Sequence, residues 1–202
     1  MTGTDLLGYW CIVISLAFVW PQVWRTVRHD TTHGISAVGT LHAMAGSTLW
    51  FAYGALQRSS TMWISNASFF TAQVIICGVL LRHNRLPRRL VALFVTAVLV
   101  LLVTGLSGPN AFLGWIAILV SGSGMIPNVV HVRAAHSLHG ISITSWAMTI
   151  VAATSWTVYG WVKNDHIIMY VNYFTIPLMF YVITKAAVWR NANDIPLFGR
   201  AA

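Results

Sequence analysis

Seven stretches of about twenty residues carry no Lys, Arg, Asp or Glu in their interiors. They run over 6–25, 35–57, 61–81, 88–106, 111–130, 141–162 and 166–186. Arg25, Arg88, Arg89 and Lys185 mark their ends, and the other charges fall in the gaps. A membrane-spanning helix needs about 20 mostly apolar residues, so each stretch is long enough to cross. Charged residues are only 8% of the chain, against roughly 25% in an ordinary soluble domain. A water-facing surface cannot be assembled from so few. Alternation along the stretches is weak, as expected of helices whose backbone groups are satisfied internally. Barrel strands would be shorter and would alternate, which 91–103 does not do. Asp5, and no basic residue, precedes the first stretch, and no small-residue cleavage site follows it. That stretch therefore reads as a span and not a signal peptide. The expected class is an all-α integral membrane protein forming one polytopic unit.

The loop charges give an orientation. Arg25, Arg28, Arg82, Arg85, Arg88, Arg89, Arg133, Lys185, Arg190 and Arg200 lie on one side of the seven-span layout, and only Arg58 and Lys163 on the other. The positive-inside rule places the ten-charge side in the cytoplasm. The N-terminus is then outside and the C-terminus inside, which requires an odd number of spans. The formal charge of +8 thus records orientation. It does not point to nucleic acid, because the basic residues sit in short gaps and not on a polar face. Cys11 and Cys77 fall inside apolar runs, so no disulfide framework is expected.

An internal repeat orders the whole chain. Shifted by 106 residues, the two halves align without a gap. Gly8/Gly114, Ser15/Ser121, Pro21/Pro127, Val23/Val129, Thr48/Thr154 and Asn66/Asn172 coincide. So do two blocks, His33-Gly34-Ile35-Ser36 with His139-Gly140-Ile141-Ser142, and Trp50-x-x-Tyr53-Gly54 with Trp156-x-x-Tyr159-Gly160. Each copy covers three spans. A direct fusion of two odd copies would invert the second, and the unmatched span 88–106 restores its direction. Charge and repeat therefore reach a 3+1+3 layout independently: a first repeat over 6–86, a linker helix over 88–106 and a second repeat over 111–188. Parallel repeats of this kind carry a substrate site near the membrane midplane.

This layout resembles the PQ-loop superfamily, and in particular the SWEET/SemiSWEET (MtN3/saliva) sugar transporters, over roughly residues 6–186. Pro21-Gln22 matches the dipeptide that names the superfamily; the second copy departs from it with Pro127-Asn128. The resemblance implies two parallel three-helix bundles joined by an inversion linker helix. It implies facilitative movement of small sugars by alternating access, without an energy source. It implies a sugar pocket at Trp50 with Asn66 and at Trp156 with Asn172, both pairs 16 residues apart. Pro21, Gln22, Pro127 and Asn128 are the implied hinge positions, and Tyr53, Tyr159 and Asp165 the implied extracellular gate. Ser59 stands where the first repeat would supply the partner of Asp165, so a gate salt bridge would be asymmetric.

The chemistry of these residues suits a sugar. An unsatisfied amide in lipid is costly, so an intramembrane Asn finds a partner or faces a cavity. An amide offers donors and acceptors to hydroxyls, and an indole stacks on a pyranose face with its N–H as a polar handle. The competing reading takes the Asn residues as interhelical packing contacts and the Trp residues as interfacial anchors. His42 is the one His placed well inside a span, where a titratable group could carry a proton. Its repeat mate is Met148, so symmetry lends that no support. His33, His131, His136 and His139 lack convincing metal-site spacing. No paired carboxylate, P-loop, HExxH or GxSxG is present, so no enzyme, cofactor or ATP-driven pump is expected. The expected partners are a small neutral sugar and the lipid bilayer, with a monomer sufficient for one pathway, in the cell membrane. Transport of another solute such as an amino acid, or a non-transporting receptor or accessory role, are the alternatives.

Overall fold

A computed structural model describes residues 2–32, 35–139 and 141–197. His33, Gly34, Gly140 and Arg200, which the sequence places in the duplicated turns and among the basic loop residues, lie outside the described residues. Among the described residues eight helical segments run in order: α1 (Gly3–Arg28), α2 (Ala37–Leu56), α3 (Ser60–Arg82), α4 (Arg88–Leu106), α5 (Asn110–Ser123), α6 (Ile126–Ala134), α7 (Ile143–Val162) and α8 (His166–Ala192). No strand occurs among the described residues. α5 and α6 together make one span, Asn110–Ala134, so the segments amount to seven spans in the 3+1+3 arrangement. Five spans are plainly long and apolar enough to cross a membrane. α2 and α7 have 20 residues each, about 30 Å at 1.5 Å per residue, and carry more Gly, Ser and Thr.

One sequence expectation changes. The stretch 111–130 reads as a continuous helix, but the structure interrupts it between Ser123 and Ile126. Gly122, Ser123 and Gly124 are weak helix formers, and Pro127 cannot donate a hydrogen bond back to Ser123. In the first repeat Leu16 and Ala17 occupy the mates of Gly122 and Ser123, and α1 runs unbroken through Pro21.

The helix ends repeat as faithfully as the motifs. Ser36 caps α2 by accepting from the Gly39 N–H at 3.1 Å, and its mate Ser142 caps α7 by accepting from Ser145 at 3.2 Å. α2 and α7 both end in left-handed turns, at Arg58 (φ 52°) and Asn164 (φ 53°). There the Ser59 N–H reaches the Gly54 carbonyl at 2.9 Å, and the Asp165 N–H reaches Gly160 at 2.8 Å. These six-to-one bonds close the last turn in a Schellman motif and reverse the chain within three residues.

The chain forms two compact units, Met1–Ser121 and Gly122–Ala202, whose boundary falls inside α5. In the first, α1 and α2 pack on α3, and α4 lies against α2. Its core includes Val19, Val23, Leu41, Met44, Ala72, Ile76 and Leu80. In the second, α6 and α7 pack on α8 around Met125, Val132, Ala153, Met179 and Val182. The third helix of each repeat is thus the one the other two share. Large apolar side chains remain uncovered within the chain, Val103 at 68% and Leu119 at 71% among them. Hydrocarbon, unlike water, leaves such residues without penalty.

Candidate substrate site

In the first unit the Trp-x-x-Tyr-Gly block forms the last turns of α2, with its members on one helix face. Trp50 meets Tyr53 edge-on, with centroids 5.8 Å apart and planes at 83°. Tyr53 is only 2% exposed. At Gly54 a Cβ would lie 2.7 Å from the Met62 Cβ and 3.1 Å from the Trp63 nitrogen. Only a hydrogen fits, so α3 crosses α2 at close range. The carbonyl of Met62, at that crossing, accepts the Asn66 Nδ2–H at 2.9 Å. The fixed spacing from Trp to Asn therefore has a physical cause. The glycine sets the crossing point, and the crossing point sets where the amide is anchored.

The indole N–H of Trp50 donates to the Ser121 hydroxyl at 2.8 Å. That same hydroxyl is the atom a Cβ at Gly46 would meet, at 3.1 Å. The sequence offers the N–H as a polar handle for a sugar; in the structure Ser121 takes it. What Trp50 retains for a ligand is its ring face.

The second unit repeats the geometry. Trp156 meets Tyr159 edge-on at 5.5 Å and 79°, and Tyr159 is 3% exposed. A Cβ at Gly160 would lie 3.0 Å from the Asp165 carbonyl oxygen, the Ile168 Cβ and the Met169 Cγ. The Ile168 carbonyl accepts the Asn172 Nδ2–H at 3.2 Å. Met62 and Ile168 are themselves repeat mates. Each carboxamide uses one N–H on its own helix. Its oxygen and second N–H have no other protein partner among the described residues. That leaves one acceptor and one donor per amide for hydroxyl groups.

The hinge positions differ between repeats. Pro21 and Gln22 are exposed within continuous α1. Trp20, beside them, donates its Nε1–H to the Ser68 hydroxyl on α3 at 3.0 Å. Pro127 opens the first turn of α6, directly after the break. The Asn128 Nδ2–H donates to the Gly124 carbonyl at 3.1 Å.

Asp165 is the N-cap of α8, accepting from the N–H groups of Ile167 at 3.1 Å and Ile168 at 3.4 Å. Its mate Ser59 precedes α3 without a side-chain cap. Capping is a role the sequence reading did not give Asp165. His42 is half-buried on α2. Among the described residues no cluster of three metal-ligating side chains exists. Ser121 was missed as a partner of Trp50 because the two are 71 residues apart. Its identity with Ser15 across the repeat was the available signal.

Comparisons with known proteins bear on the family and the fold. A family model described as "PQ loop repeat" matches residues 4–63. A second, described as "Sugar efflux transporter for intercellular exchange", matches residues 111–188. The fold is similar to the solved structure of a eukaryotic SWEET transporter, with a TM-score of 0.69 at 14% identity. That match covers 94% of this chain and 100% of the other. No curated protein sequence matches the chain.

Proposed function

The chain belongs to the PQ-loop/SWEET family, whose members are transporters and not enzymes, and from that premise we propose that it carries small neutral sugars across a membrane by facilitated, alternating-access uniport. The observation that carries this reading is the duplicated constellation itself. Twice, 106 residues apart, an indole held edge-on by a buried Tyr accompanies an amide that keeps a free donor and acceptor. Apolar ring faces of a sugar match the indoles, and its hydroxyls match the amides. None of these four residues is charged, which suits a solute that is neutral.

In this reading Trp50 and Asn66 serve the first repeat, 6–86, and Trp156 and Asn172 the second, 111–188. Pro21-Gln22 and Pro127-Asn128 are the flexing points. Asn128 supports that role, since its amide can hold the Gly124 carbonyl while the helix is interrupted. Tyr53, Tyr159 and Asp165 guard the outer side. The basic loops face the cytoplasm of a cell membrane, as their charge requires. One copy contains both repeats, so a monomer suffices for one pathway.

Uptake of labelled glucose and sucrose into proteoliposomes is the test. Saturable uptake is expected, with loss of flux in Trp50→Ala and Asn66→Ala at preserved expression and monodispersity. Flux at the native level in both variants would end the pocket assignment. Uptake of a labelled amino acid instead of sugar would change the solute class. Sugar binding without flux would make the chain a receptor.

A further inference from the structure

The two repeats tie the same places together with different chemistry. In the first, Asp30 in the α1–α2 loop pairs with Arg82 and, at 2.9 Å, with His83 Nε2, both at the end of α3. In the second, His136 in the loop after α6 accepts the Trp189 Nε1–H on its backbone carbonyl at 3.2 Å, near the end of α8. Asp30 and His136 are repeat mates, and so are His83 and Trp189. Each contact fastens the segment beyond the proline, Pro21 or Pro127, to the last turns of the central helix. A contact that keeps its position while changing its chemistry has a mechanical purpose. The first tether is exposed and ionic. The second is neutral, and Arg190 beside it adds bonds to the carbonyls of His139 and Ile141 at 3.2 and 3.0 Å.

We propose that Asp30, Arg82 and His83 form an ionic latch that restrains flexing of α1 at Pro21, so that opening of the first repeat at the arginine-rich face responds to salt while the second repeat does not. This inference rests on the transport reading for its consequence but not for its structure. Among the described residues Arg82 and His83 are the two groups that pair with Asp30. The other titratable or charged groups on these elements are Arg25, Arg28 and His29 beside Asp30, and Arg85 beyond His83. Arg28 lies over the Trp24 ring at 5.5 Å. The hydrogen bond from His83, and then that from Arg82, hold the Asp30 carboxyl below the usual carboxylate range. Asp30 is therefore held in its charged form for the pair with Arg82. High salt weakens the latch, because its groups are exposed.

Hydrogen exchange of the sugar-free protein in nanodiscs reads the latch directly. Corrected for intrinsic rates, exchange over 22–32 is expected to be about two- to fivefold faster at about 1 M salt than at about 0.05 M salt. In Asp30→Asn it should be fast at both, and exchange over 128–139 should be unchanged by salt in both proteins. In proteoliposomes, sugar flux should rise with salt at the arginine-rich face in the native protein and be flat in Asp30→Asn. Native protection in Asp30→Asn, or a salt response over 22–32 that survives Asp30→Asn, would overturn the latch. Faster exchange in Asp30→Asn at unchanged flux would overturn its role in gating. If no protein moves sugar, the transport reading fails on its own and the exchange data still decide the latch.

Discussion

Gly54→Ala tests whether the helix crossing carries the site. The added Cβ would sit 2.7 Å from the Met62 Cβ and 3.1 Å from the Trp63 nitrogen, against an ordinary carbon contact of about 3.5–4.0 Å. Neither atom is the tip of a flexible side chain, so α2 and α3 must part by roughly 1 Å. Overpacking of this kind costs about 1–3 kcal/mol, and the backbone nature of the clash favours the upper half. Alanine's better helix propensity returns at most about 1 kcal/mol. The net is a loss of about 1–2 kcal/mol, or a fall in Tm of about 2–8 °C for a chain of this size. Gly160→Ala meets its neighbours at 3.0 Å, one of them the mobile Met169 Cγ, and should lose about half as much. Gly78→Ala meets nothing within 4 Å and should match or exceed the native protein. Thermal unfolding followed by tryptophan fluorescence in detergent gives the ranking. Sugar affinity should fall in Gly54→Ala more than in Gly160→Ala, because the displaced Met62 carbonyl anchors Asn66. If Gly54→Ala is as stable as Gly78→Ala, the close-crossing argument is wrong.

Ser121→Ala removes the acceptor of the Trp50 N–H. A lost hydrogen bond of this kind is worth about 0.5–1.5 kcal/mol, so sugar affinity should fall by about two- to tenfold, with a shifted tryptophan emission. Unchanged affinity and emission would show that the bond does not position the indole. Arg190 is 4% exposed and donates to the carbonyls of His139, Ile141 and Pro196. Arg190→Met should leave three acceptors unpaired, destabilise the second unit by about 2–4 kcal/mol and expose 193–197 to proteinase K. Arg190→Lys should rescue little, since a point charge cannot bridge three carbonyls as a fork does. A native digestion pattern and Tm in Arg190→Met would refute that role.

What the sequence reveals here is whatever is periodic or duplicated. Spans are visible because hydrocarbon tolerates few charges, and α4 falls at the expected residues, 88–106. The Trp–Asn spacing is visible because duplication repeats it, although its cause, the crossing at Gly54 and Gly160, needs three dimensions. Features in which the repeats differ are hidden, since the alignment averages them away. The fifth span breaks at Gly124 although its mate α1 does not, and the clue lay in the Gly-Ser-Gly run and not in the shared proline. Asp30 with His83 and His136 with Trp189 share no residue type, so no motif search joins them. Only the equality of their positions shows that they are one device. In this duplicated chain, identity between repeats marks shared architecture, the caps at Ser36 and Ser142 and the crossings at Gly54 and Gly160 among it, and the same position filled by different chemistry marks where the two halves can be controlled separately. Asp30 and its partners are where that rule can be tested, because exchanging the tether chemistry between repeats should transfer the salt response with it.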